Sequence, residues 1–224
     1  MNIENIKKQF PIFNNKVQNN DLVYLDSANS SQKPQVVVDR IYDFYTKEFS
    51  NVGRSVHYLA VAATNLYEET RSLVQKYINA KDPNEIVFTK GATEAINLVA
   101  NTFGQKFLKE GDEIILTELE HHSNYVPWHY LRRSKGVQIK FAEINSEGEI
   151  SLESIEKLIT SKTKMIAITH LSNVTGAILP IKEITQLAHL KNIPVLIDGC
   201  QGAPHLKLDM QEIGCDFYAI SCHK

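Results

Sequence analysis

Apolar side chains recur at helical spacing in two early stretches, residues 35 to 48 and roughly 60 to 79, the second carrying Leu66, Leu73, Val74 and Tyr77. Residues three and four apart share one face of a helix, so each stretch predicts an amphipathic helix, with Pro83 as a stop after the second. From residue 86 the texture changes to short, mostly apolar runs: Ile86 to Phe88, Glu113 to Leu116, Gln138 to Phe141, Met165 to Thr169, Val195 to Ile197 and Phe217 to Ile220. They lack strict apolar/polar alternation, as expected of strands covered on both faces, and the stretches between them are long enough for crossover helices. Gly111 and Gly136 precede the second and third runs, Ser151 opens a helix with Ser154 and Glu156 in its first turns, and Pro180 precedes residues 181 to 191. The expected fold class is α/β, a mostly parallel sheet with flanking helices.

Composition narrows the partners. The chain has 224 residues, 43% hydrophobic and 22% charged, with a formal charge of −2. That suits a soluble globular protein with one sizeable core, and near-neutral charge without a long basic run argues against nucleic acid or an anionic membrane as partner. No apolar run approaches the ~18 residues of a membrane span, and residues 1 to 13 mix Glu4 with Lys7 and Lys8 where a secretory leader would be basic and then apolar. A cytoplasmic location is expected. Cys200, Cys215 and Cys222, 15 and 7 residues apart, fit neither a metal knuckle nor a disulfide framework, so reduced thiols are expected. No resident metal is expected either: His121, His122, His170, His205 and His223 include no pair at the i, i+4 spacing of a zinc helix motif.

In open α/β sheets ligands gather at the carboxyl ends of the strands. Polar clusters follow the predicted strands at Thr89 to Glu94, Glu118 to Asn124, His170 to Gly176, Asp198 to Gln201 and Ser221 to Lys224. In the first, a glycine and small residues at a strand-to-helix turn leave backbone N–H groups free to face an anion, a phosphate cradle or else an ordinary helix cap. Asp198, directly after Pro194-Val195-Leu196-Ile197, is either a turn former or a buried carboxylate whose partner is a metal, an arginine or a protonated heterocyclic nitrogen. Lys224, after Ser221-Cys222-His223, either offsets a negative charge or is desolvated for use as an amine nucleophile. Taken jointly, an anion site, a strand-end Asp and a downstream lysine are the three parts that pyridoxal 5'-phosphate requires.

The residues Asp198-Gly199-Cys200-Gln201-Gly202-Ala203-Pro204-His205, with Asp216-Phe217-Tyr218-Ala219-Ile220-Ser221-Cys222-His223-Lys224, resemble the fold-type I pyridoxal-phosphate enzymes of the class V aminotransferase group. Within that group Leu25-Asp26-Ser27-Ala28, Gln32-Lys33-Pro34, Gly91-Ala92-Thr93-Glu94-Ala95-Ile96-Asn97, Glu120-His121-His122-Ser123-Asn124 with Pro127-Trp128, and Ser172-Asn173-Val174 with Gly176 resemble SufS-type cysteine desulfurases. The motifs run in order from about Phe10 to Lys224. The resemblance implies that Lys224 carries the cofactor and moves protons at the substrate Cα, that Asp198 keeps the ring nitrogen protonated, and that His121 stacks on the ring and serves proton transfer. It also implies that Gln201 bonds the phenolic oxygen, that Ala92, Thr93, Ser221 and His223 bind phosphate, and that Asn173 lies near the phenolic oxygen or the substrate carboxylate. His122 receives no role.

By the same resemblance the activity is conversion of L-cysteine to L-alanine, with sulfur passed as a persulfide to an acceptor protein of iron–sulfur cluster assembly; L-selenocysteine is a second substrate and the complete enzyme a homodimer. Residues 1–34 read as an N-terminal segment and 35–224 as part of the large cofactor domain, the small domain and the mobile persulfide cysteine being absent from this sequence. Gly53 stands where the family has a histidine before an arginine, Asn29 where a small residue is usual, and Cys200 and Cys222 where alanine and glycine are usual, which raises the prospect of crowding in the cofactor motifs. Two other readings remain open: a non-catalytic remnant or scaffold, and another class V enzyme such as a kynureninase-like hydrolase.

Overall fold

The structure is a computed structural model that describes residues 2 to 224. It divides into two compact units, one holding the chain up to Lys76 together with His223 and Lys224, the other Tyr77 to Cys222.

In the first unit α1 (Ile3–Lys7) is capped by the Asn2 side chain, which accepts from the Asn5 N–H. A small antiparallel hairpin of β1 (Lys16–Val17) and β2 (Asn20–Asp21) follows. Then come α2 (Gln35–Asp43), which starts after Pro34 and runs into a single wide turn at Phe44–Glu48, and the long α3 (Tyr58–Tyr77). These are the two helices that the apolar spacing predicts.

The second unit is a parallel five-stranded sheet in the order β4-β3-β5-β6-β7, formed by β3 (Glu113–Thr117), β4 (Gln138–Ala142), β5 (Thr163–Thr169), β6 (Val195–Asp198) and β7 (Phe217–Ala219). Successive strand side chains point to opposite faces, and here both faces are covered. Ile115, Ile166, Ile168, Val195 and Ile197 join one apolar cluster with Ile155 of α7 (Leu152–Leu158) and Ile184 and Ala188 of α8 (Ile181–His189). Ile114, Leu116, Met165, Ala167 and Leu196 join the other with Ile96 of α4 (Ala92–Val99) and Trp128 and Leu131 of α6 (Val126–Lys135). Two apolar faces per strand explain why the strands read as apolar runs without alternation. Each fully buried Ile or Leu contributes about 1.5–3 kcal/mol, so this two-sided core fixes the strand register more firmly than local propensity does.

Local signals place the helices. Ser151 accepts from the Ser154 N–H as N-cap of α7, and α8 buries Ile181, Ile184, Thr185 and Ala188, one stripe of a 3.6-residue period. Helix α4 passes through a wide turn at Ala100–Gly104 into the short α5 (Gln105–Phe107). The short α9 (Gly202–His205) and α10 (Met210–Ile213) lie between β6 and β7 in the chain. One expected strand is not formed. Ile86 leaves a 3-10 turn at Pro83–Glu85 in extended conformation, but residues 86 to 88 are outside the sheet. β-branched composition favours extended backbone, which Ile86 adopts, without making the segment a strand of the five-stranded sheet.

Candidate functional site

Because every strand of the sheet runs the same way, the residues after Thr117, Ala142, Thr169, Asp198 and Ala219 emerge along one edge. Asp198 closes β6 between two neighbours, in register with Thr169 on one side and Ala219 on the other. It is 3% exposed, and its Oδ1 accepts the Cys200 N–H at 3.0 Å. No cationic side chain among the described residues of this unit forms an ion pair with it. A buried carboxylate with a single backbone donor keeps unused acceptor capacity and a strong demand for a positive partner.

The turn after Asp198 lies against a polar pair. His170 Nδ1 and the Tyr218 hydroxyl are 2.7 Å apart, and burial pushes the His170 imidazole down to about 4 and holds the Tyr218 phenol well above its usual value. Both groups are therefore neutral near pH 7. Only glycine fits beside them: a Cβ on Gly199 would sit 2.0 Å from Tyr218 Cε1, and one on Gly202 2.5 Å from His170 Nδ1.

At the glycine turn the backbone N–H groups are taken up within the protein: those of Lys90, Gly91 and Ala92 donate to Glu94 Oε2, Thr89 Oγ1 and Ser221 Oγ, as at a helix cap. Gly91 is the N-cap of α4 with φ of 149°, a region that a side chain strongly disfavours. The Ala92 N–H donates to Ser221 Oγ at 3.1 Å, and Ser221 also receives the Cys200 thiol at 3.4 Å. Cys200 is thus accommodated by a bond to Ser221 and by packing against the Trp128 side of the core. Beside it, Thr93 Oγ1 is 2.8 Å from Ser123 Oγ, which is 2.9 Å from His121 Nδ1. The Ser123 backbone N–H also donates to His121 Nδ1 at 3.1 Å. A backbone N–H can only donate, so Nδ1 is an acceptor and the neutral ring carries its proton on Nε2.

Thr93, Ser123 and His121 are therefore brought together, as are Ala92, Ser221 and Cys200. Gln201 is buried at the start of α9, and Asn173 is exposed on the turn between Leu171 and Ile178, which bridge each other. His223 and Lys224 fall in the first unit. There the His223 carbonyl accepts from the Ser31 N–H at 3.0 Å and from Lys33 Nζ at 2.9 Å, so the Gln32-Lys33-Pro34 segment grips the backbone just ahead of Lys224.

A family model described as aminotransferase class-V matches residues 23–224. The chain belongs to that family. A probable cysteine desulfurase of Halalkalibacterium halodurans is 47% identical over 224 residues, all of this chain and 55% of that protein. A cysteine desulfurase of Serratia proteamaculans is 45% identical, covering 99% of this chain and 55% of its own length. Among solved structures, the cysteine desulfurase CsdA of Escherichia coli, in its S-sulfonic acid form, superposes with a TM-score of 0.87 at 36% identity, over 100% of this chain and 55% of that one. The apo cysteine desulfurase of Thermococcus onnurineus NA1 superposes with a TM-score of 0.91 at 36% identity, over 99% and 53%. The chain thus spans about half the length of the relatives it matches.

Two residues bonded to the candidate site groups or to their neighbours escape a residue-by-residue reading. Ser123 links Thr93 to His121, and its only sequence signal is a hydroxyl two positions after a histidine, a spacing that suits a local turn. Glu120 is half-buried as a residue while its carboxylate is enclosed by Thr117, Asn124 and the Thr169 amide; burial, with a smaller contribution from the charge of Asp198, pushes it up to about 7 against three hydrogen bonds that lower it. None of the three cysteines forms a disulfide, Cys222 being exposed and the other two half-buried, and burial next to Asp216 pushes the Cys215 thiol up to about 12. Among the described residues no group of three or more His, Cys, Asp or Glu side chains is placed to hold a metal ion, and no helix is long and apolar enough to cross a membrane.

Proposed function

We propose that this protein is a pyridoxal-phosphate-dependent cysteine desulfurase, which converts L-cysteine to L-alanine and passes the sulfur as a persulfide to an acceptor protein of iron–sulfur cluster assembly. L-selenocysteine as a second substrate, a homodimeric enzyme and a cytoplasmic location belong to the same reading. The observation that carries it is Asp198, an enclosed strand-end carboxylate without a cationic partner in its unit. A protonated pyridine nitrogen supplies the positive hydrogen-bond donor that this carboxylate demands. Identities of 47% and 45% to proteins named as cysteine desulfurases or probable ones support the choice within the class-V family.

The donor set fits the cofactor. Asp198 would hold the ring nitrogen. Ala92 and Thr93 at the N-terminus of α4, the Ser221 hydroxyl and His223 would hold the phosphate, which would take the Ala92 N–H over from Ser221 Oγ, and a helix N-terminus with hydroxyl donors suits a dianion. Gln201 and Asn173 would serve the phenolic oxygen, His121 the ring face, and Lys224 the aldehyde. When bound, the cofactor supplies an electron sink for the bonds broken at the substrate Cα. The protein's own part is to keep charge and protons in place. Asp198, shielded from water, would hold a proton on the cofactor's ring nitrogen far more firmly than a solvated carboxylate could. His121, with Nδ1 committed to Ser123, has Nε2 for proton exchange, and the Lys224 amine is the second proton carrier.

The test is to mix the purified chain with pyridoxal phosphate, follow the visible absorbance, reduce with borohydride and map the modified residue by mass spectrometry. The proposal expects a fixed pyridoxyl group on Lys224, abolished in Lys224→Ala. A chain that takes up no cofactor would favour a scaffold, and a loaded full-length enzyme that releases no alanine from cysteine would favour another class-V reaction.

A further inference from the structure

Glu120 has no part in the function proposed above, yet it is the most heavily bonded carboxylate of the site edge. Its Oε1 accepts the Thr117 hydroxyl at 2.6 Å and the Thr169 backbone N–H at 2.9 Å, and its Oε2 accepts Asn124 Nδ2 at 2.7 Å. Asn124 is fully buried, and its Oδ1 accepts the indole N–H of the fully buried Trp128 at 3.0 Å. The directions of these bonds are not interchangeable. An indole nitrogen only donates, so it fixes Oδ1 of Asn124 towards itself and leaves Nδ2 to face Glu120. A backbone amide only donates, so Oε1 of Glu120 must accept from Thr169. The polarity therefore runs from Trp128 through Asn124 into Glu120, and from Thr169 into Glu120.

We propose that Glu120 is a positioning residue for the candidate site, tying the turn that carries His121 to the end of β5, the strand that holds Asp198 in register. His121 is the next residue in the chain, and Thr169 is the register partner of Asp198. One carboxylate thus sets the spacing between the ring-face histidine and the strand-end aspartate. This role rests on the cofactor reading given above.

The groups around Glu120 are Thr117 of β3, Asn124 of the 3-10 turn at His122–Asn124, Thr169 of β5 and, as the one charged group acting on it, Asp198 of β6. Both protonation states keep the network. When ionised, Glu120 accepts all three bonds. When protonated on Oε1 it donates to Thr117 Oγ1, a hydroxyl that can reverse its role, while still accepting from Thr169 and Asn124. Glutamine has no such freedom, because either orientation of its amide points an NH2 at another donor, Asn124 Nδ2 or the Thr169 N–H. Changing Asn124 to aspartate removes that conflict: the new carboxylate accepts from both Trp128 and the glutamine amide.

That reversal is the test. The whole chain is prepared as the parent, as Glu120→Gln, as Asn124→Asp and as the Glu120→Gln/Asn124→Asp pair, and pyridoxal phosphate affinity is measured by absorbance titration. In parallel, NMR follows the His121 ring signals and exchange of the indole proton, which is a single signal because the sequence has one tryptophan. Each single variant is expected to weaken cofactor binding and speed indole exchange by about tenfold or more, since each leaves a buried polar group unpaired or two carboxylates facing. The pair should return both to within about threefold of the parent. A Glu120→Gln chain that binds like the parent, or a pair no better than the singles, overturns the proposal. Should a single variant fail to fold, a folded pair with parental affinity supports it and an unfolded pair refutes it. If the parent itself binds no cofactor, the proposed function fails. The Glu120 role then rests on the NMR signals alone, and it is refuted if the His121 shifts and indole exchange do not move in the single variants and return in the pair.

Discussion

Gly199→Ala tests the packing that holds Asp198 in place. The new Cβ would lie 2.0 Å from Tyr218 Cε1, 2.2 Å from Cζ and 2.6 Å from the hydroxyl oxygen. Ordinary carbon–carbon contact is about 3.5 Å, so something must move by about 1.5 Å. The backbone cannot yield cheaply, because the Gly199 N–H donates to the Ala219 carbonyl and the Gly199 carbonyl accepts from Ala203, each at 2.8 Å. The Tyr218 ring must therefore swing away, and that breaks its 2.7 Å bond to His170. Overpacking of this kind costs about 1–3 kcal/mol and the lost buried hydrogen bond about 1 kcal/mol more. A total of about 2–4 kcal/mol would lower the urea midpoint by about 1–2 M with little change in the slope of the transition. The assay is urea unfolding followed by circular dichroism, on Gly199→Ala in the parent and in a Tyr218→Ala background. Removing the ring removes the obstacle, so the alanine should cost less than about 1 kcal/mol there. An equal loss in both backgrounds, or a parent midpoint that moves by less than about 0.3 M, would falsify the account.

Glu120 and His170 should give stability opposite pH slopes. At Glu120 the folded chain keeps its proton up to about pH 7 whereas the unfolded chain loses it near 4.5, so stability falls as pH rises through that window, by on the order of 3 kcal/mol. At His170 the unfolded chain binds the proton near 6.5 and the folded chain only near 4, so stability rises with pH from about 4 to 6.5. In His170→Asn the offset is gone and the urea midpoint should fall steadily from pH 5 to 7; a rise would contradict the assignment. The 15N shifts of neutral His121 should report a proton on Nε2, and Ser123→Ala should bring the two tautomers closer to equal population. Under a thiol reagent at pH 8, Cys222 should react first and Cys215 last by mass spectrometry, because one is exposed and the other's thiol is pushed up to about 12.

The sheet was legible because its strands are covered on both faces. Apolar runs at 113–116, 138–141, 165–169, 195–197 and 217–220 became strands within one or two residues at each end. Their parallel direction followed from the length of the intervening helices. The run at 86–88 misled for a definite reason: composition reports extended backbone, while membership of a sheet is decided by the assembled fold.

The candidate site divides along the same line. Sequence alone determined which chemical groups follow the sheet strands, Asp198 and His121 among them, because a strand followed by a polar cluster needs only local patterning to be recognised; the turn at Gly91 to Thr93 was read as following a strand, and it follows an extended segment outside the sheet. The tertiary structure decided how those groups are held. It set Ser221 under the Ala92 amide across 129 positions, His170 against Tyr218 across 48, and Glu120 against the Thr169 amide across 49. Hydrogen bonds act over about 3 Å whatever the separation along the chain, so partners brought together only by the pairing of distant strands leave no mark in local sequence.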